Sequence, residues 1–282
     1  MRLAYAADLH GNVALYRALL DLAAESGAQA VVVGGDLLPH EPRADRAVHS
    51  QRSFIEREIR PLLERFHSTH PAVDVFLLAG NDDWAAAIAG LADLETDRLA
   101  YALHGRTFSL NQSGLWIAGY ACVPPTPFSM KDYERPDAGS RRAASFGRAY
   151  ISNATGLVPL EQWQFDERQQ IATELAELAM LSEPTHTIYV CHTPPADTPL
   201  DLMAGQRHVG SHGLRAFIEQ HQPPLTLHGH IHEAPALSGQ YACQIGATWC
   251  INPGRDPQRL QAVTFDSDDL AGTLKHTIYG PP

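Results

Sequence analysis

Five short segments of the 282-residue chain combine residues able to ligate a metal with the glycines and turn formers that end strands. They are Asp8-Leu9-His10-Gly11-Asn12, Gly34-Gly35-Asp36, Gly80-Asn81-Asp82-Asp83, Cys191-His192 and His228-Gly229-His230-Ile231-His232. Taken singly, an Asp or Asn in such a place is a turn former or helix cap, and a lone histidine is a hydrogen-bonded structural residue. Together they form a pattern, because each follows an apolar run that reads as a strand. An open α/β sheet gathers its ligand outside the carboxyl ends of its strands. Asp8, His10, Asp36, Asn81, His192, His230 and His232 are therefore expected in one place. Imidazole mixed with carboxylate and amide oxygen suits manganese, iron, zinc, cobalt or nickel. Calcium or magnesium would take nearly all oxygens, and structural zinc would take cysteines.

The elements that must position these residues follow from periodicity. Apolar runs at 3–7, 30–34 and 73–79 alternate with helical patterns at 12–26 and about 45–67, the rhythm of βαβ units and a largely parallel sheet. Gly27 suits the end of the first helix, and Pro61 is expected to kink or break the second. Runs at 106–111 and 114–120 read as a hairpin, and 122–150 as a long irregular insertion. A helix at about 160–181 is expected to bury Ile171, Leu175, Leu178 and Leu181. A strand at 186–191, a helix at 211–221 and a strand at 225–228 come next, and 236–278 reads as short strands without a helix. No repeat or linker divides the chain, so it reads as one domain over 1–282.

Composition narrows the partners. With 44% hydrophobic residues the chain can bury a large core, and its net charge of −11 opposes an extended nucleic-acid partner, which needs many phosphates neutralised. The Arg141-Arg142 pair reads as a solvated loop. The N-terminal apolar run is too short for a signal peptide, and nothing approaches the ~20 apolar residues of a membrane span, so a cytoplasmic protein is expected. Cys122, Cys191, Cys243 and Cys250 lack zinc or disulfide spacing and read as ordinary thiols.

The order DxH, GD, GN, H and GHxH, from residue 8 to residue 232, resembles the calcineurin-like metallophosphoesterase superfamily. Within it, Cys191-His192-Thr193-Pro194-Pro195 and Leu227 to Glu233 are similar to bacterial and archaeal phosphodiesterase-like members, as is the stretch Pro124–Pro136. The resemblance implies a four-layer α/β/β/α sandwich of two mixed sheets flanked by helices. It implies two divalent transition metals, one held by Asp8, His10 and His232 and the other by Asn81, His192 and His230, with Asp36 bridging. It also implies a water acidified between the cations that attacks phosphorus in line with the leaving group.

One position departs from the pattern. The superfamily's third motif usually reads Gly-Asn-His followed by an acid, and its histidine protonates the leaving oxygen or steadies the transition state; here that place is Asp82. An unperturbed carboxyl is ionised at neutral pH and donates protons poorly. The expected activity is therefore hydrolysis of small phosphodiesters, nucleotide-like ones among them, with Asp82, Asn81 and His192 as catalytic candidates. Phosphomonoester or protein phosphatase activity, a nuclease, and a metal-binding interaction protein with little catalysis are the competing readings. His208 and His212 are candidate replacement donors, and Lys131, Tyr133, Arg135 and His212 candidate substrate contacts.

Overall fold

The computed structural model describes residues 1–110, 113–138 and 148–282; Arg141 and Arg142 lie outside them. The chain begins with strand β1 (Arg2–Ala6), helix α1 (Val13–Ser26) and strand β2 (Ala30–Gly34). Asn12 caps α1 by accepting from the Ala14 and Leu15 N–H groups, and Gly27 ends it at φ 68°, a left-handed backbone that suits glycine. A long helix follows as α2 (Ala47–Phe54), a π-helical turn (Ile55–Ile59) and α3 (Arg60–Thr69). Pro61 thus does not break the helix. The wider turn directly before it accommodates the ring and the missing N–H.

Strand β3 (Asp74–Leu78), the short helices α4 (Ala85–Ile88) and α5 (Leu91–Thr96) and strand β4 (Tyr101–Ala102) complete this part. The hairpin β5 (Thr107–Leu110) and β6 (Leu115–Tyr120) opens the second sheet. Residues 122–138 form no helix or named strand, residues 139–147 of the expected insertion lie outside the described residues, and a second hairpin, β7 (Tyr150–Asn153) with β8 (Gly156–Pro159), follows. The expected helix at 160–181 divides into α6 (Gln162–Asp166) and α7 (Ile171–Ala179). Ile171, Leu175 and Leu178 are buried, whereas Leu181 lies beyond the helix and is half exposed.

Strand β9 (Thr187–Cys191), the small pair β10 (Leu202–Met203) and β11 (Arg207–His208), helix α8 (His212–His221) and strand β12 (Leu225–Leu227) follow. The C-terminal part contains helix α9 (Ala234–Ser238), not foreseen, then β13 (Ala242–Ile245) and β14 (Thr248–Ile251). Finally β15 (Val263–Asp266), α10 (Leu270–Thr273) and β16 (Lys275–His276) return to the first sheet.

The result is two six-stranded mixed sheets flanked by helices, in the orders β16-β15-β1-β2-β3-β4 and β13-β14-β12-β9-β6-β5. Alternation along the strands decides which side chains face which layer. Ala4, Ala6, Val31, Val33, Val75 and Leu77 pack on the long helices, while Leu3, Tyr5, Val32, Phe76 and Leu78 join a core shared with the second sheet. On that sheet's helical side Tyr189 meets Phe217 of α8 edge-on, with ring centroids 4.9 Å apart. Strands β1, β2 and β3 are mutually parallel, as are β6, β9, β12 and β14, so the loops after β1, β2, β3, β9 and β12 begin at strand carboxyl ends. Among the described residues no helix is long and apolar enough to cross a membrane.

Candidate metal centre

The loops after β1 and β2 run side by side, the N–H groups of Asp8, His10 and Gly11 donating to the carbonyls of Gly35, Asp36 and Leu37 at 3.0, 2.8 and 2.9 Å. This pairing holds the backbone where L residues seldom go. Asp8, His10, Asp36 and His230 have φ of 59, 44, 49 and 64°, four of the eight non-glycine residues with positive φ among those described. Left-handed backbone costs an L residue roughly 1 kcal/mol or more, and such strain collects at functional sites. Two glycines provide the room. A Cβ on Gly80 would lie 2.2 Å from Asp36 Oδ1, and one on Gly35 would lie 2.0 Å from His192 Nδ1.

The side chains then converge. Metal-ligating atoms of Asp8, His10, Asp36 and His232 all lie within 4.8 Å of one another. His232 Nε2 is 3.2 Å from Asp8 Oδ1 and 3.4 Å from His10 Nε2, so two imidazole nitrogens face one point beside a carboxylate. Asp36 divides its oxygens, with Oδ2 3.6 Å from His10 Nε2 and Oδ1 3.4 Å from His192 Nε2. On the latter side Asn81 Oδ1 is 3.3 Å from His192 Nε2, and the His230 ring centroid is 5.3 Å from that of His192. His192 Nδ1 donates to the Gly34 carbonyl at 2.9 Å, which fixes the ring with Nε2 toward Asn81 and Asp36. All seven candidate ligands are thus neighbours, and their nitrogen and oxygen donors fit a divalent transition ion.

Burial and mutual charge set the protonation of these groups. Burial opposes charging His192, but Asp36 and then Asp8 hold its pKa up at about 10. Burial also works against ionising Asp8 and Asp36, yet the facing histidines hold both carboxyls below the usual range. His230 is pushed down to about 3 by burial and by His192, and His10 is lowered by burial, so both are neutral imidazoles suited to a metal.

Asp82 is not an unperturbed carboxyl. Burial and the Asp36 charge push it up to about 7. Its Oδ2 lies 3.6 Å from His10 Nδ1, its Oδ1 accepts from Asn81 Nδ2 at 3.1 Å, and its N–H donates to Asp36 Oδ1 at 2.8 Å. It therefore contacts two candidate ligands through its side chain and a third through its backbone.

The side chains expected to face a substrate are engaged by other parts of the chain. Lys131 is 2% exposed, its Nζ donating to both Glu134 oxygens at 2.9 and 2.8 Å and to the Thr126 carbonyl at 2.8 Å. Tyr133 is buried edge-on against His104, and Arg135 donates to Glu174 at 2.7 Å. Lys131 thus pairs within the stretch, while Tyr133 and Arg135 fasten it to His104 and to α7. His208 is bound to Asp201 at 2.7 Å. His212 starts α8, where its N–H donates to Asp137 at 2.9 Å, so neither histidine is among the clustered groups.

Supporting residues were not visible in the sequence. Fully buried Asp83 accepts from the N–H groups of Leu37, Leu38 and Gly80 at 3.0, 2.8 and 2.9 Å, tying two ligand loops together. Asn252 Nδ2 donates to the Leu200, Gly229 and Ile231 carbonyls at 3.0, 3.3 and 3.1 Å, which pins the His230–His232 turn. The one available signal was its place in Asn252-Pro253-Gly254, another turn at a strand end.

A profile of the calcineurin-like phosphoesterases matches residues 1–234. The chain belongs to that family. It is 28% identical over 148 residues to the phosphodiesterase YfcE of Escherichia coli strain K12, a match covering 44% of this chain and 71% of that protein. Its fold is similar to TT1561 of Thermus thermophilus, with a TM-score of 0.61, 18% identity and coverage of 99% and 98% of the two chains. A dimetal phosphatase from Danio rerio is also similar, with a TM-score of 0.52, 14% identity and coverage of 94% and 91%. A calcineurin-like phosphoesterase with a buried Asp/His cluster able to bind metal is thus the common ground of sequence, fold and site.

Proposed function

We propose that this phosphoesterase holds two divalent transition metals and hydrolyses small phosphodiesters. Asp8, His10 and His232 would hold one ion, Asn81, His192 and His230 the other, and Asp36 both. The observation that carries this reading is the division of Asp36, one oxygen toward His10 and the other toward His192. When bound, the two cations supply Lewis acidity to a phosphoryl oxygen and lower the pKa of a water. The chain's own part is preorganisation. Strained backbone and paired loops aim the ligands before any ion arrives, and Asp36 offsets repulsion between the cations. Manganese, iron, zinc, nickel and cobalt all suit this donor set.

Preference for diesters rests on Asp82. Two dications nearby favour its ionised form, against the burial that raises it, and a carboxylate held by Asn81 and facing His10 has no proton to give an alkoxide. Esters whose leaving group departs without protonation are then favoured, in line with the YfcE relative's name as a phosphodiesterase. The net charge of −11 favours a small ester, nucleotide-like ones included, over a polymer. The test is a panel of chromogenic mono- and diesters run separately with manganese, nickel, iron and magnesium. Activated aryl diesters should turn over fastest; faster turnover of alkyl monoesters contradicts the reading.

A further inference from the structure

One buried imidazole bonded to the ligand loops is not among the seven candidate ligands. His228 directly follows β12, precedes the Gly229–His232 turn and is fully buried. Its Nδ1 lies 3.0 Å from the Cys191 carbonyl and 2.9 Å from the Thr193 carbonyl, the two that flank His192. The His192 carbonyl itself accepts from the Gly229 N–H at 2.9 Å. Successive carbonyls around one candidate ligand are thus taken up by successive residues of another ligand loop. Strand pairing fixes the other side of His192, whose N–H donates to the Tyr120 carbonyl at 3.0 Å. Past that bond β9 has ended, and His228 takes over from the sheet.

The partners decide the tautomer. Carbonyls only accept, so Nδ1 carries a proton and shares it between the two oxygens. A fully buried imidazolium needs a carboxylate, whereas among the described residues the ring bonds to those carbonyls and to the Thr226 hydroxyl. The ring is therefore neutral, and Nε2, 2.8 Å from Thr226 Oγ1, accepts that hydroxyl's proton. The backbone of His228 is fixed as well: its N–H donates to the Ile251 carbonyl at 2.7 Å, and its carbonyl accepts from the Tyr5 hydroxyl at 2.7 Å. Tyr5 stands on β1 of the first sheet, where the bare Cα of Gly34 leaves room for its hydroxyl. Because the Gly34 carbonyl receives His192 Nδ1, the residues His228, Tyr5, Gly34 and His192 close a ring of contacts that joins the two sheets.

We propose that His228 is a positioning residue for His192: its Nδ1–H, shared by the carbonyls on either side, sets the backbone from which the His192 ring reaches Asn81 and Asp36. Its effect on metal binding rests on the two-ion reading above, whereas its effect on the His192 ring does not. Metal-free wild type, His228→Asn and His228→Gln, with isotope-labelled histidine, are compared by NMR, and each is then titrated calorimetrically with manganese. The asparagine amide nitrogen stands as many bonds from Cα as Nδ1 does, and the glutamine nitrogen as many as Nε2, so asparagine replaces the lost donor and glutamine does not. In wild type, His228 should be neutral and protonated at Nδ1, and the His192 Nδ1–H held by Gly34 should give a resolved signal. His228→Asn should keep that signal and both manganese affinities. His228→Gln should lose the signal and bind the ion at His192 about 10- to 100-fold more weakly, with the other ion unchanged. A wild-type His228 protonated at Nε2 or at both nitrogens overturns the proposal and needs no variant to fold. Glutamine as good as asparagine, asparagine as poor as glutamine, or equal weakening of both ions in His228→Gln overturns it too. Fewer than two ions in wild type, with the His192 signal kept by asparagine and lost with glutamine, would defeat the two-metal reading and leave this assignment standing.

Discussion

Gly80→Ala isolates the geometry of the centre from the stability of the fold. The added Cβ would sit 2.2 Å from Asp36 Oδ1, 2.3 Å from Asp36 N and 2.7 Å from His192 Nε2. Carbon in van der Waals contact needs more than 3 Å, so relief requires a displacement of roughly 1 Å. One of the three atoms is backbone, which a rotamer change cannot move. Overpacking of this kind costs about 1–3 kcal/mol, and misplacing a reacting assembly by ~1 Å costs about 100-fold in rate. Because Asp36 faces both halves of the cluster and His192 one of them, metal content should fall as well. Gly105→Ala is the control: Gly105 has φ 69° and no atom within 4 Å of a Cβ, so it incurs backbone strain of roughly 1 kcal/mol far from any clash. The assay combines thermal unfolding, bound metal per chain and kcat on an aryl diester. Loss of metal and of about 100-fold in kcat in Gly80→Ala, with near-normal values in Gly105→Ala, is expected. Gly80→Ala with wild-type metal content and kcat, or equal losses in both variants, refutes the reasoning.

Three further outcomes follow from the same contacts. Lys131→Met strands buried Glu134 and should lower stability by about 3 kcal/mol in urea unfolding, with KM unchanged; a raised KM at unchanged stability would return Lys131 to the substrate. Asp83→Asn turns an amide N–H toward donors of Leu37, Leu38 or Gly80 and should cost about 1–3 kcal/mol and weaken metal binding about 10- to 100-fold, read by unfolding and metal titration; wild-type values would show that the two loops need no tie. His104 accepts from the Ala121 N–H, and burial, then Arg135, lowers its pKa to about 4. Its folded pKa lies below the unfolded value of ~6.5, so the unfolded chain binds the extra proton: the contribution is complete above pH ~6.5 and fades as pH falls toward 4. At pH 5 the loss is on the order of 1–2 kcal/mol, and His104→Gln should flatten that part of the stability profile; an unchanged slope between pH 7 and 5 would contradict it.

The convergence of the seven candidate ligands was legible in the sequence because each sits at the end of an apolar run, and strand ends are what a parallel sheet gathers. Asp83 and Asn252 were not, since each acts on backbone groups of a distant loop and has no periodicity of its own. The packing of Lys131, Tyr133 and Arg135 was hidden for a related reason: in an irregular stretch nothing in the spacing distinguishes a buried ion pair such as Lys131–Glu134 from a charged loop facing solvent. Helices α4 and α5 fall in a run of alanines and acids too short for a helical period to emerge. Helix α9 is a single turn with Pro235 at its start and Gly239 left-handed at its end, a signature that strand-like neighbours obscured. Asp82 was seen as a departure from its family, but its contact with His10 and its raised pKa depend on tertiary burial.

The most direct test of the central claim is a metal titration of the metal-free protein in which bound ion per chain and hydrolysis of bis(p-nitrophenyl) phosphate are followed together, for wild type and for Asp36→Asn. The account predicts two ions per wild-type chain, activity that rises as the second ion binds, and loss of both in Asp36→Asn. Activity without added metal, full activity at one ion per chain, or an Asp36→Asn variant that keeps two ions and wild-type turnover would contradict it.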